Sequence, residues 1–244
     1  MDKLYIVIPA YNEEENIEDV IAGWHKVIEK MSKDSRLVII DDGSKDNTFS
    51  IMKKLEKKYK KLIPITKKNQ GHGATVLYGY NYALKNNCNY VFQTDSDGQT
   101  NPDEFWDFWE ERKNYDMIIG YRKKRQDGSS RVLVTKTLKF ILFMIFHVNI
   151  KDANTPFRLM KCSTLRKKIK LIPKDYHLSN VILSVIYAKY KLKVKYIDIT
   201  FKPRQGGVNS INIKKIFKIG LNSLKDFYRI NKEINRNIKK ETSK

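Results

Sequence analysis

A chain of 244 residues can bury one substantial core, or one core with a small appendage. Its 41% hydrophobic content is ordinary for a soluble domain, but 48 Lys and Arg against 27 Asp and Glu leave a net charge of +21, which points to an anionic partner or surface. Acidic lipid and phosphorylated substrates fit that sign; nucleic acid is not expected, because zinc-finger spacing and the aromatic RNA-binding signature are both absent.

In chain order, β-branched and apolar runs predict strands over Leu4–Ile8, Leu37–Ile40, Leu62–Thr66, Tyr90–Gln93 and Met117–Gly120. Helical periodicity fills the gaps at Asn16–Met31, Asn47–Lys60, Ala74–Asn86 and Pro102–Lys113. The last of these has the clearest entry: Asn101 can cap, Pro102 suits the first helical position, and Asp103 and Glu104 complement the helix dipole. The first strand starts by Leu4, so no signal peptide is expected before it. Cys88 and Cys162 are too few for a disulfide framework and lack metal-ligand spacing, so a reduced, cytosolic compartment is the expectation.

This alternation is a doubly wound α/β pattern, in which the carboxyl ends of parallel strands share one edge. Three of the strands run into acidic turns: Tyr11–Glu13 after Pro9, Asp41–Ser44, and Asp95–Gln99. Asp, Ser and Gly also favour turns for local reasons, but three unrelated turns have no reason to collect acids on one edge. Asp95 and Asp97, with Gln99 as an additional oxygen ligand, can hold a hard divalent cation and the phosphates it carries. Because the ligands are oxygens, Mg²⁺ or Mn²⁺ is expected. Such a cation neutralises the charge that develops on a nucleoside diphosphate leaving group. Asp41 or Asp42 can accept from the imide N–H of a base, and the Pro9–Glu13 turn, with Tyr11 and Glu13, borders the nucleoside. Gly71 and Gly73 permit close backbone approach to a sugar or phosphate, and His72 between them is read either as a contact or as a solvated loop residue. Asp46, Glu14 and Glu15 are read as cap and dipole residues.

Beyond Gly120 the rhythm stops. Val132–Val148 is strongly apolar but too short to span a bilayer, and is read as a core helix or one lying in a membrane interface. Residues 211–244 form a separate basic amphipathic helix and tail, with Ile213, Phe217, Leu221, Leu224 and Tyr228 as its apolar stripe and the final residues solvated or frayed.

Four motifs, Ile8-Pro-Ala-Tyr-Asn-Glu-Glu14, Asp41-Asp-Gly-Ser44, Asn69-Gln-Gly-His-Gly-Ala74 and Thr94-Asp-Ser-Asp-Gly-Gln99, resemble in order and spacing those of the family-two glycosyltransferases. The similar branch is the polyprenol-phosphate sugar transferases, and the likeness covers most of residues 3–210. It implies a GT-A fold over residues 1–210: a Rossmann-like, mostly parallel sheet with helices on both faces and an elaborated C-terminal half. It further implies inverting, metal-dependent transfer of a hexose from a nucleotide-diphosphate sugar, with the first two turns lining the nucleotide pocket and Asp95, Asp97 and Gln99 at the metal.

Two further segments are similar to the family's. Asp152-Ala-Asn-Thr-Pro-Phe-Arg158 matches an aspartate followed by a Gly-Phe-Arg turn, with Thr155-Pro156 in place of small residues, which puts Asp152 and Arg158 beside Asp97 as candidate catalytic residues. Arg204-Gln-Gly-Gly-Val-Asn-Ser210 is similar to the segment whose arginine meets the donor phosphates. A lipid phosphate acceptor needs cationic positioning, whereas a glycan hydroxyl needs a base, for which Asp152 is a candidate. The basic helices favour a polyprenyl phosphate at the cytoplasmic face of an anionic membrane. The alternatives are a glycan acceptor in surface polysaccharide assembly and a nucleotide-sugar-binding module without turnover. The oligomeric state is not legible.

Overall fold

The β-branched runs form β1 (Leu4–Ala10), β2 (Arg36–Asp41), β3 (Leu62–Thr66), β4 (Tyr90–Gln93) and β5 (Met117–Tyr121), close to their expected bounds. The computed structural model describes residues 2–122, 128–174, 176–202 and 213–243, the backbone alone over 128–134 and 213–223. Within these, β6 (Arg158–Lys161) and β7 (Val194–Asp198) complete a seven-stranded sheet of order β3-β2-β1-β4-β6-β5-β7. β6 runs antiparallel between β4 and β5, and every other pairing is parallel. The order reverses at β1, which lies between β2 and β4, so a crevice opens at the carboxyl ends of β1 and β4.

Helices α1 (Ile17–Glu29), α2 (Thr48–Glu56) and α4 (Phe105–Glu111) cover one face, where Leu4, Ile6 and Ile8 meet Trp24, Phe92, Phe105 and Phe108. The alternate residues Tyr5 and Val7 face α3 (His72–Lys85) and α7 (Ser179–Lys189) on the other. This strand alternation under two helical layers is what a sheet buried on both sides requires. α3 lies close to the sheet because Gly79 sits on Val7 and Ile40; a Cβ there would fall 2.2 Å from Val7 Cγ1. The predicted helix at Pro102 begins instead as a 3₁₀ turn, Pro102–Glu104, before α4, with the Asn101 side chain accepting from Asp103 N at 3.1 Å.

α5 (Gly128–Phe146) packs one face into the core. Leu142, Ile145 and Phe146 are buried in the core, while Phe140, Phe143 and Met144 are 64%, 54% and 55% exposed on the far side. α8 (Ile213–Thr242) continues through the tail expected to fray. Over its described side chains the buried stripe is Phe227, Ile230 and Ile234, joined to the core through Phe146, whose ring lies 5.6 Å from that of Phe227. Tyr228, expected on that stripe, is exposed; both phases satisfy three- and four-residue spacing, and contact with α5 selects the one containing Phe227.

Cys88 and Cys162 also depart from expectation. They are joined as a disulfide with Cα atoms 6.2 Å apart, across 74 residues of chain. The cause is the β4–β6 pairing, whose register sets Tyr90 opposite Lys161 and brings the cysteines flanking the two strands together. A reduced compartment does not follow from the cysteine count.

Candidate active site

The turns after β1 and β2 are tied to one another. Asn12, at φ 53°, donates its N–H to Ser44 Oγ (2.9 Å) and accepts from Lys45 N through Oδ1 (2.9 Å). Glu13 N donates to Thr48 Oγ1, and Glu14 accepts from both nitrogens of Asn47. Asp46 binds Thr48 N and Oγ1; burial opposes its charge, but these hydrogen bonds outweigh it and hold its pKa below the ordinary value. Asp46 and Glu14 are therefore structural, as their positions suggest. Pro9 is paired within the sheet beside Ile40, Glu13 is buried with Asn16 Nδ2 on its Oε2, and Tyr11 stands 42% exposed at the crevice.

Asp41 and Asp42 are both buried, and each is engaged by the protein. Asp41 accepts from Ser44 N (3.1 Å) and Thr66 Oγ1 (2.6 Å). Asp42 accepts from Gln70 N (2.9 Å) and Gly71 N (2.8 Å) and pairs with Lys67. Asp42 thus anchors the loop that opens α3. Gly71 needs to be glycine for its φ of +87°; Gly73 needs to be because an added Cβ would lie 2.3 Å from His177 O and 2.4 Å from Tyr176 O.

That anchored helix start aims His72 at the Asp95–Gln99 turn. His72 Nε2 lies 3.0 Å from Asp95 Oδ1. Burial disfavours the imidazolium, yet Asp95, then Asp97 and Asp42, more than offset this and raise the His72 pKa. The ring is half exposed, so water tempers the effect. Asp97 Oδ1 accepts from Gln99 N (3.1 Å) across the turn at Gly98, which has φ +69°. Gln99 Nε2 donates to Lys202 O (2.9 Å), and Lys202 N to Gln99 O (2.9 Å), so Gln99 fastens the segment that leads toward Arg204 beside the motif. Ligation would fall to the opposite amide oxygen. Arg204 and Ser210 lie outside the described residues.

Among the described residues no three His, Cys, Asp or Glu side chains converge tightly enough to hold an ion alone. The donors still fit Mg²⁺ or Mn²⁺, which bind through one or two carboxylates and complete their shell with substrate phosphates.

Two candidates of the second half, Asp152 and Arg158, are both engaged by groups of the protein itself. Asp152 is buried and saturated: Arg122 Nε and Nη2 reach Oδ2 at 3.1 and 2.9 Å, Nη2 reaches Oδ1 at 3.2 Å, and Asn154 N reaches Oδ1 at 3.2 Å. A carboxylate has about four lone-pair sites, so it is not presented as a base. Arg158 is fully buried, donating to Thr155 O (2.9 and 2.6 Å), Ala153 O (3.3 Å), Asn180 O (3.1 Å) and Ser184 Oγ (3.3 Å). Its bonds to Ala153 O and Thr155 O hold the 152–155 loop from beneath. Sequence reading missed Arg122, directly after β5 and with its guanidinium 5.1 Å from the Phe201 ring. Its signal was a cation at a parallel strand's carboxyl end.

Comparison with known proteins bears on the family and the fold. Residues 5–170 match the family model described as glycosyl transferase family 2. The UDP-N-acetylglucosamine–dolichyl-phosphate N-acetylglucosaminyltransferase of Methanococcus voltae is 30% identical, over 94% of this chain and 95% of that one. An undecaprenyl-phosphate 4-deoxy-4-formamido-L-arabinose transferase of Pectobacterium atrosepticum is 22% identical over 88% of this chain and 64% of its own. Among solved structures, glucosyl-3-phosphoglycerate synthase from Mycobacterium tuberculosis, in complex with Mn²⁺ and UDP-glucose, superposes with a TM-score of 0.67 at 14% identity, covering 93% of this chain and 79% of that one. TarS of S. aureus gives 0.57 at 19% identity over 81% of this chain and 60% of that one. With a switch-point crevice rimmed by the β1, β2 and β4 turns and a family match across most of its length, the chain is a glycosyltransferase of family 2, built on the GT-A fold.

Proposed function

We propose that this glycosyltransferase moves a hexose from a nucleoside diphosphate sugar to a polyprenyl phosphate, with inversion and with a divalent cation, at a membrane surface. The saturation of Asp152 carries the acceptor assignment. A hydroxyl acceptor needs a general base within hydrogen-bond reach, and the carboxylate nominated for that task has its oxygens taken by Arg122 and Asn154. A phosphate acceptor arrives as an anion and needs only cationic positioning. Similarity over nearly its whole length to the UDP-N-acetylglucosamine–dolichyl-phosphate N-acetylglucosaminyltransferase of M. voltae supports UDP-N-acetylglucosamine as donor and a dolichyl-type phosphate as acceptor.

The chain's own residues then divide the work. The Pro9–Glu13 turn and Asp41 border the nucleoside, while Asp42 and Gly71 hold the start of α3, whose N-terminus favours the diphosphate. Asp95 and Asp97 would hold Mg²⁺ or Mn²⁺, with Gln99 as an added oxygen ligand; the ion would offset charge on the departing diphosphate. Arg204 and Ser210 are proposed for the donor phosphates on the basis of resemblance alone. Arg158 serves as a positioning residue for the 152–155 loop.

Membrane association is supported by the apolar ridge of Phe140, Phe143 and Met144 on α5 beside exposed Lys136 and Lys139. Among the described residues no helix is long and apolar enough to cross a membrane. The cytoplasmic face is the expected side, and the Cys88–Cys162 bridge is the observation that weighs against it.

The test supplies Mn²⁺ or Mg²⁺, a panel of nucleotide sugars and a short-chain polyprenyl phosphate, and follows radiolabelled lipid. Lipid product that disappears in Asp97→Ala supports the proposal and names the donor. Metal-dependent hydrolysis of the nucleotide sugar without lipid product, or donor binding without turnover, overturns it.

A further inference from the structure

Resting on the metal-dependent reading above, we infer that His72 is a nitrogen ligand of the divalent cation, beside Asp95. Two ligands in adjacent positions of an octahedral ion, each about 2.1 Å from it, are about 3.0 Å apart. His72 Nε2 and Asp95 Oδ1 are 3.0 Å apart. The two atoms are therefore spaced as neighbouring ligands, with their mutual hydrogen bond as the cation-free substitute.

The placement of His72 is built. On one side Gly71 N is fixed on Asp42 Oδ2 at 2.8 Å. On the other, Gly73 packs so tightly against the backbone of Tyr176 and His177 that no side chain fits. The residue between these fixed points is held at the first turn of α3, a fourteen-residue helix. The same N-terminus favours the diphosphate that would complete the ion's shell. Ligation needs the Nε2 lone pair, so the ring proton resides on Nδ1 when the cation is bound and on Nε2 when Nε2 donates to Asp95.

A nitrogen ligand changes which ion is preferred. Oxygen ligands suit Mg²⁺ and Mn²⁺ alike, whereas an imidazole ligand selects against Mg²⁺, a hard ion that takes oxygen. The inference therefore assigns to His72 a Mn²⁺-over-Mg²⁺ preference that Asp95 and Asp97 alone would not produce.

Electron paramagnetic resonance of Mn²⁺ titrated into the full chain with UDP present tests this without turnover, using wild type, Asp95→Asn, His72→Asn and His72→Lys. Wild type should show nitrogen modulation of the Mn²⁺ echo and displacement of Mn²⁺ only by a large excess of Mg²⁺. His72→Asn should lose the modulation and about tenfold or more in Mn²⁺ affinity, since loss of even an outer-shell group costs about that much. His72 is half exposed, so its replacement should leave the circular dichroism unchanged. His72→Lys distinguishes ligation from a simple cationic contact with phosphate: restored affinity there overturns the inference. Retained modulation in His72→Asn also overturns it while leaving the metal reading intact, provided Asp95→Asn weakens binding. Failure of wild type to bind Mn²⁺ with UDP overturns both.

Discussion

Removing Arg122 should destabilise the protein severely, and removing the charge of Asp152 should leave the chemistry largely intact. The side chains of the pair are 10% and 5% exposed, so Arg122→Ala strands a carboxylate that water barely reaches. Breaking a buried pair from one side costs about 3–5 kcal/mol. In a chain of this size each kcal/mol shifts the melting temperature by about 2–4 °C, giving an expected fall of roughly 6–20 °C. Replacing both partners with apolar residues, Arg122→Met with Asp152→Leu, should recover most of that loss, because the stranded charge is gone. Thermal melts followed by circular dichroism measure both effects. Asp152→Asn, assayed well below its melting temperature, should lower kcat by less than about tenfold, whereas loss of a general base costs about 10²–10⁴-fold. A folded Asp152→Asn that loses about 10² or more in kcat, or an Arg122→Ala that costs under about 1 kcal/mol, refutes the reasoning.

Gly73→Ala should lower stability by about 1–3 kcal/mol or more, because the new methyl meets backbone oxygens that cannot rotate away; an unchanged melting temperature contradicts the packing described for α3. His25 is buried against Tyr59 with Nε2 lacking a partner among the described residues, and burial lowers its pKa below the ordinary 6.5. The folded state therefore resists protonation: this contribution is complete above pH 6.5 and lost as pH falls through that value toward the lower folded one. His25→Phe should flatten that part of the stability–pH curve, as denaturant titrations from neutral to mildly acidic pH will show. Phe140→Ser with Phe143→Ser should reduce sedimentation with anionic vesicles by roughly tenfold or more, and equal binding by the double variant removes α5 from the membrane contact.

The first half of the fold was readable because each strand is a β-branched run that stops at a polar turn, and each turn carries its chemistry within a few residues. Asp95-Ser-Asp97 and the Asn101-Pro102 helix entry are local signals of this kind. The second half depends on pairings that local pattern does not encode. β6 inserts antiparallel between β4 and β5, and this long-range event buries Arg158, joins Cys88 to Cys162 and sets the 152–155 loop against Arg122. His72 was ambiguous for the same reason: its meaning depends on Asp95, which lies at the end of the next strand. On α8, Phe227 and Tyr228 fit the same spacing, and only contact with Phe146 decides which is buried.

The central claim, that the acceptor is a lipid phosphate, is tested most directly by offering one polyprenol with and without its phosphate. Each would be incubated with UDP-N-acetylglucosamine and Mn²⁺, and the products identified by mass spectrometry. The account predicts a sugar attached through the phosphate of the first lipid, with no product from the second. Equal glycosylation of the free alcohol, or product from the alcohol alone, would contradict it.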